Sequence, residues 1–485
     1  MTYLKTRETI FSSTLQQQKI KRCKMKITII SGSPKGEKSV TLQYLLYIQK
    51  HNPQHTFETF HVGQTIKSIE KNKPKFDEII ESVKTSDAVF WITPIFYFLI
   101  PSQLKRFIEL IYENKAEDAF KNKYAAAVST SIRFFDTTAH NYLHAVCDDL
   151  KMKYVNFNSL DMWDMFSGSK RKQLRLFAEN FFSIVENKEP VSIQYPPLST
   201  DKIKAYTPGE AKSKVDNSDK KIVLLADGYN KNTNLGKMIS RFSDSFTNDI
   251  QIVDINQLDM KGGCLSCIRC GYDNKCIYTD GFTDFWKTTM KNADIIIFAG
   301  EIRDRYLSAQ FKMVFDRSFF MNHTPFLIGK QMGFIISGPL GQIANLNYLF
   351  SAYVESQNSN FLDFITDEEE DSKLIDSLID TMADHSITYS NQGYIRPHTF
   401  YKEGGMKIFR DDVYGRLRFT CQADHRWYKD NGIYDTFPQR NKFVNRMNRK
   451  FMFLTRFKSI REKVYREVNT EMLRPIHAIA IDPDK

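Results

Sequence analysis

Two spacings of apolar residues take turns along this chain. Runs of five or six β-branched, aliphatic and aromatic residues come first, and each gives way through a polar loop to apolar positions at helical spacing. Lys26 to Ile30 is the first run; the loop Ser31 to Thr41 follows, and Leu42, Leu45, Leu46 and Ile48 then recur along one helical face. Ala88 to Thr93 reads as a second strand, with a helix opening at Pro101 to Glu109 behind it, and Tyr124 to Val128 as a third. Strand, loop and helix in that order predict an open parallel sheet, whose ligands sit beyond the carboxyl ends of its strands.

The loops at those ends carry different chemistry. Ser33, Lys38, Ser39 and Thr41 stand at a helix start, where unpaired N–H groups and the positive end of the helix dipole favour a phosphate. Ordinary helix capping explains the same hydroxyls, and the loop follows neither the G-x4-G-K-[ST] nor the G-x-G-x-x-G order. Pro94, Ile95, Phe96 and Tyr97 offer an apolar and aromatic wall, and Ser129, Thr130 and Ser131 offer small hydroxyls beside it. A phosphate cradle, a flat wall and hydrogen-bonding groups at a ring edge together suit flavin mononucleotide (FMN).

The pattern returns after a polar stretch, near Asn187 to Lys220, that contains Pro190, Pro196, Pro197 and Pro208. Lys221 to Leu225 leads through Asp227 and Asn234 into a helix, Ile252 to Ile255 follows, and Ala293 to Phe298 precedes a helix in which Gln310-Phe311-Lys312 stands where Gln103-Leu104-Lys105 stood. This internal repeat predicts two α/β units over about three quarters of the chain. The copies differ in their loops. Asp227 places a carboxylate where a phosphate would be repelled, and Gly300-Glu301-Ile302-Arg303 replaces the proline and aromatic wall.

Only the second copy carries a cysteine loop. Cys264, Cys267, Cys270 and Cys276, four of the seven cysteines, follow the spacing C-x2-C-x2-C-x5-C. A continuous loop with two-residue spacers reaches three corners of a cubane iron–sulfur cluster in succession, and Gly271, Asp273 and Asn274 turn the chain towards a fourth. Structural zinc more often takes two C-x2-C pairs from separate knuckles; it remains the second reading, with a disulfide third.

These residues together resemble the flavodoxin-like NAD(P)H-dependent FMN reductases and their iron–sulfur flavoprotein branch. The resemblance rests on the Gly-Ser-Pro-Lys loop running to Thr41, on Pro94-Ile95-Phe96-Tyr97 followed by Leu104-Lys105-Arg106-Phe107, and on the four-cysteine loop. It implies two tandem flavodoxin-like, doubly wound parallel sheets and a C-terminal, mostly helical appendage. The expected boundaries are an extension over 1–24, an FMN domain over 25–186, a linker over 187–219, a cluster domain over 220–392 and the appendage over 393–485. It also implies that the first loop holds the FMN phosphate, that the second and third flank the isoalloxazine, that the cysteines hold a 4Fe-4S cluster, and that NAD(P)H is the electron donor. In that branch the cluster of one subunit approaches the flavin of another, which a tandem chain achieves within itself. The expected activity is an FMN-dependent NAD(P)H oxidoreductase that passes electrons through the cluster to a small-molecule or protein acceptor, with no acid–base residue required for hydride transfer. Two alternatives stand beside it: a cluster-free NAD(P)H:quinone or nitro reductase with structural zinc, and a non-catalytic electron-transfer or redox-sensing module.

Charge and composition add little that conflicts. The longest apolar run, around Ala88 to Ile100, falls short of the roughly 20 residues a membrane span needs, so no transmembrane segment is expected. Met1 to Lys24, with Lys5, Arg7, Lys19, Lys21, Arg22 and Lys24, lacks a secretory apolar stretch, and a cytoplasmic location is expected. The formal charge of +11 suits a nicotinamide nucleotide and an acidic redox partner such as a ferredoxin-like protein; no nucleic-acid module is present, and a homo-oligomer is compatible with the chain. The stretch Arg440 to Glu467 has ten basic against two acidic side chains, with Val444, Met447, Phe451, Leu454 and Phe457 at helical spacing. It is read as a docked helix with a solvated basic face, ahead of a membrane-surface or donor-docking helix. The aromatic stretch His398 to Pro438 is read as packed structure ahead of a flavin cover, Asp367 to Asp371 as a solvated helix start, and Asp161 to Met165 is unassigned.

Overall fold

The computed structural model describes residues 24–481 except 212, 322 and 370, so the leader's cations other than Lys24, and Glu370, lie outside the described residues. The chain divides into two compact units, one ending at Asp424 and the other running from His425.

The first unit contains two five-stranded parallel sheets. In the first, β1 (Lys26–Ser31), β2 (Thr56–Phe60), β3 (Ala88–Pro94), β4 (Tyr124–Thr130) and β5 (Lys153–Leu160) lie in the order β2-β1-β3-β4-β5. In the second, β6 (Ile222–Ala226), β7 (Gln251–Asp254), β8 (Ile295–Glu301), β9 (Gln331–Ser337) and β10 (Asn360–Thr366) repeat that order as β7-β6-β8-β9-β10. This 2-1-3-4-5 sequence is the flavodoxin-like winding, with its switch point between the first and third strands. Helices cover both faces, so a central strand carries a continuous apolar run instead of an alternation: Ala88, Val89, Phe90, Trp91 and Ile92 of β3 are all fully buried. The repeat is registered closely. Ala88 and Ile295, Tyr124 and Gln331, and Lys153 and Asn360 open equivalent strands, and each pair is 207 positions apart.

Four helices of this unit frame the loops of the two copies and the junction between them: α1 (Val40–His51), α2 (Ser102–Glu113), α3 (Asn234–Asp244) and α4 (Ala309–Ser318). The two sheets meet through α2 and α4, which are equivalent helices of the two copies, packed on one another. Each ends its first turn in a buried lysine aimed at the other copy. Lys105 Nζ lies 3.0 Å from Glu109 and 2.6 Å from Asp304, and donates to the Arg303 carbonyl at 3.3 Å. Lys312 pairs with Asp316 and donates to the Phe96 carbonyl at 2.8 Å. The carboxylates return the exchange: Glu109 accepts from the Ala309 N–H at 2.6 Å, and Asp316 from the Ser102 N–H at 2.7 Å. Buried charges persist only when paired and fully hydrogen-bonded, so this lattice fixes the relation of the two copies more than it adds stability.

A fifth helix, α5 (Phe400–Gly415), follows the second copy within the same unit. Among the described residues no helix is long and apolar enough to cross a membrane. The acidic run is not a solvated helix start throughout: Asp367 is buried and accepts from Ser337 Oγ at 2.7 Å, the Gly338 N–H at 2.9 Å and Asn234 Nδ2 at 3.0 Å. Asp371 does cap the next helix, accepting from the Leu374 N–H at 2.9 Å.

Candidate functional site

A cavity of about 410 Å³ opens at the carboxyl ends of the first sheet, within the size range of small-molecule sites. Its floor is the β1–α1 loop. Ser39 occupies the N-cap of α1, yet its hydroxyl makes no capping bond; with Ser33, Lys35 and Thr41 it faces the cavity. Thr41 Oγ1 lies 2.6 Å from Thr130 Oγ1, which ties this loop to the end of β4. Gly36 makes the turn possible: its φ is +53°, and a Cβ there would stand 2.1 Å from Gln64 Oε1. The result is the open N-terminus of a twelve-residue helix beside the three buried hydroxyl residues Ser33, Ser39 and Thr41, which is how proteins receive phosphate.

The second copy closes the equivalent end. Thr233 caps α3 by accepting from the Gly236 N–H at 3.1 Å, Asp227 accepts from Asn256 at 3.2 Å, and Asp367, directly after β10, holds Asn234 while accepting from Ser337 at the end of β9. An anion offered there meets two carboxylates and a helix end already satisfied.

The wall loops show the same divergence on one backbone. Tyr97 and Phe98 have φ of +40° and +66°; their counterparts 207 positions on, Asp304 and Arg305, have +44° and +69°. Each loop is pinched by a bridge, Phe96 to Leu99 in one copy and Arg303 to Tyr306 in the other. Side chains decide the outcome. Tyr97 lines the cavity, its hydroxyl accepting from Gln357 at 3.4 Å, and burial pushes its pKa up to about 12, so it stays a neutral phenol. Asp304 is instead clamped by Lys105 and by the Tyr142 hydroxyl at 2.9 Å, and Arg305 is locked to Asp149 at 2.6 Å. An ion-pair cluster fills the place of the wall.

The cavity's roof comes from the second copy. Cys264, Cys267, Cys270 and Cys276 all line it. Gln103 Nε2, at the start of α2, donates to the Cys264 carbonyl at 3.0 Å and so anchors the cysteine loop to the first copy. Buried Arg317 holds the loop's other end, donating to the Gly262 carbonyl at 2.9 Å and to Asp280 at 2.8 and 2.9 Å. Ser266 and Ile268 take left-handed φ of +51° and +62°, a conformation that costs about 1–2 kcal/mol for a residue with a Cβ. Gly271 lets the loop pass against the following segment, since a Cβ there would stand 2.0 Å from the Thr420 carbonyl oxygen. Burial, and then the charges of Cys264, Cys267 and Cys276, push the Cys270 thiol up to about 12. Sulfurs that raise one another's pKa are stable as anions together only around a cation, so this donor set fits a metal centre.

Residues after the second copy close one side. Tyr401, Lys402, Met406 and Phe409 of α5 line the cavity, as do Cys421 and His323. Burial opposes charge on His323 most strongly, but the carboxylate of fully buried Asp424, 2.7 Å from Nδ1, and the Cys421 sulfur together outweigh it and raise the imidazole to about 9.

The NADPH-dependent FMN reductase family matches this chain over residues 25–160 and again over 220–362, one match for each copy. The chain belongs to that family. It is an FMN-dependent NAD(P)H oxidoreductase, with FMN and a nicotinamide nucleotide as the family's cofactors. Among solved structures it is similar to the flavoenzyme NAD(P)H:(acceptor) oxidoreductase FerB from Paracoccus denitrificans, at 18% identity and a TM-score of 0.30 over 34% of this chain and 98% of that one. It is also similar to the NAD(P)H:quinone oxidoreductase from Methanothermobacter marburgensis, at 15% identity and a TM-score of 0.27 over 35% of this chain and 100% of that one. General stress protein 14 from Treponema denticola, in complex with FMN, matches at 12% identity and a TM-score of 0.25 over 34% and 98%. A comparison with curated proteins finds no match.

In this FMN reductase the cavity gathers most residues expected from sequence: Ser33, Ser39, Thr41, Pro94, Ile95, Phe96, Tyr97, Thr130, Ser131 and all four loop cysteines. Two stand elsewhere. Lys38 is exposed outside the lining, where Lys35 takes its place, and Ser129 is fully buried with its hydroxyl 2.9 Å from His140 Nε2. Met162, from the unassigned Asp161 to Met165 turn, reaches the lining, and Asp164 of that turn pairs with Arg133. The aromatic stretch expected to pack as structure supplies cavity lining through α5.

Proposed function

We propose that FMN occupies the first copy's loops, that a 4Fe-4S cluster occupies the cysteine loop of the second, and that electrons taken from NAD(P)H cross between them inside one cavity to a small-molecule or protein acceptor. The observation that carries this reading is the shared lining: the four cysteines face the same space as Ser39, Thr41 and the Pro94 to Phe98 wall. When bound, the flavin accepts a hydride as two electrons and the cluster passes electrons singly.

The chain's own residues have definable parts. The N–H groups of α1, with Ser33, Ser39 and Thr41, receive the phosphate, and Lys35 supplies a cation between that end and the cysteine loop. Lys35 lies close enough to Cys264 and Cys267 for their charges to oppose the lowering of its pKa by burial. Pro94 to Tyr97 orient the ring, Thr130 and Ser131 meet its polar edge, and Tyr401 and Phe409 exclude water from the side.

Cluster is favoured over zinc by the spacing in sequence: C-x2-C-x2-C-x5-C brings three thiols at intervals of two from one continuous loop, whereas structural zinc more often takes two C-x2-C pairs from separate knuckles. The sealed loops of the second copy support one flavin per chain. An acidic, ferredoxin-like redox protein suits the charge of +11.

NADPH added anaerobically tests the coupling. The reading expects bleaching of the flavin band together with an EPR signal from a reduced cluster that Cys264→Ser protein lacks; flavin bleaching with no iron signal in the unaltered protein would overturn it.

A further inference from the structure

The second compact unit, from His425, ends in two helices that carry exposed apolar side chains among the described residues: α6 (Lys442–Leu454), of thirteen residues, and α7 (Lys458–Ile481), of twenty-four. On α6, Phe443, Met447, Phe451 and Leu454 fall at intervals of four, four and three and share one face. Phe443 is 76% and Phe451 48% exposed. On α7, Tyr465, Met472, Ile476 and Ile479 share a face in the same way and are each more than half exposed. Eleven of the twenty-nine large apolar side chains exposed among the described residues lie between Phe443 and Ile479. A concentration of that kind marks a contact surface, not scattered exposure.

Charge says what the surface contacts. Residues 442–481 hold ten Lys and Arg against three Glu, an excess of +7 in a chain whose total is +11. Two of the three glutamates are already committed locally, Glu462 to Lys458 and Glu471 to Arg474. On α6, Lys450 and Arg446 fall along one edge of the apolar stripe and Lys442 and Arg449 on the opposite face, so the cations gather away from the stripe. An apolar stripe edged with cations is the pattern of a helix lying in the plane of a bilayer interface. A second copy of the chain would set +7 against +7, and a soluble acidic protein would answer the charge but leave the aromatic and aliphatic stripe exposed.

We propose that α6 and α7 form a peripheral docking element for bilayers carrying anionic lipid headgroups, bringing this oxidoreductase to a membrane surface without crossing it. The unit is separate in the chain from the cavity, so the proposal does not depend on which cofactors the cavity holds.

Flotation of the full-length protein with vesicles tests it, using phosphatidylcholine alone and phosphatidylcholine with about 30 mol% phosphatidylglycerol. The expected result is at least tenfold more protein floating with the anionic vesicles, release at about 0.5 M NaCl, and loss of binding in the Phe443→Ser, Phe451→Ser double variant with NADPH oxidation unchanged. Circular dichroism of that variant, and a charge variant with Arg446→Gln and Arg449→Gln, separate lost docking from lost folding; the charge variant should lose anionic binding at unchanged helix content. Equal binding to neutral vesicles, no binding to either, or a concentration-dependent dimer abolished by the Phe variant would each overturn the proposal.

Discussion

Lys312, in the second copy of the fold, donates a hydrogen bond to the carbonyl of Phe96 in the first at 2.8 Å, and so braces the wall of a cavity on the other copy. Its charge is held by Asp316, on which burial acts to raise the carboxyl pKa, and Asp316 in turn takes the Ser102 N–H at the head of α2. Site geometry and domain pairing are one set of contacts here.

Lys312→Met should therefore cost more than its own bonds. It leaves Asp316 buried and unpaired, a change of the class that costs about 3–5 kcal/mol. Urea unfolding should show that loss, and the protein should retain less FMN. Lys312→Met with Asp316→Leu should recover much of the stability without restoring the Phe96 contact; equal stability of both variants would contradict the role assigned to the pair.

Ser39 and Thr233 hold the same position in the two copies but differ in capping. Ser39→Ala should weaken FMN binding about tenfold or more, the worth of one hydrogen bond to a charged group, as read by flavin fluorescence. Thr233→Ala should instead cost about 1 kcal/mol of stability through the lost cap and leave FMN affinity unchanged.

His323 predicts a pH dependence. Its folded pKa, about 9, lies above the 6.5 of the unfolded chain, so protons favour the folded state. The stabilisation is fully present below about pH 6.5 and is lost as pH rises through about 9, a change on the order of 3 kcal/mol. Thermal unfolding from pH 6 to 9.5 should show Tm falling across that window, and Asp424→Asn should flatten the fall while lowering Tm at pH 6.

Much of this was legible in the sequence, and the failures have causes. Lys26 to Ile30 and Ala88 to Thr93 announce buried parallel strands because both faces are covered, and C-x2-C-x2-C-x5-C, a spacing that packing alone does not need, marks the loop whose four cysteines line one cavity. The duplication showed in Gln103-Leu104-Lys105 and Gln310-Phe311-Lys312. What spacing could not show is direction. Lys35 and Lys38 are three positions apart in a loop, and only the turn at Gly36 decides which faces the cavity. Ser129 and Thr130 alternate across a strand, so one points at His140 and the other at Thr41. Asp367 reads as one of several surface acids until β9 and Asn234 close around it. The lining from α5 comes from a segment after the repeat, where no periodic counterpart exists to place it.

Anaerobic purification followed by a flavin and metal count on the same sample, with Cys264→Ser protein beside it, tests the shared cavity most directly. About one FMN and about four irons per chain are predicted, with iron lost and FMN kept in the variant. Two flavins per chain, or zinc in place of iron, would contradict it.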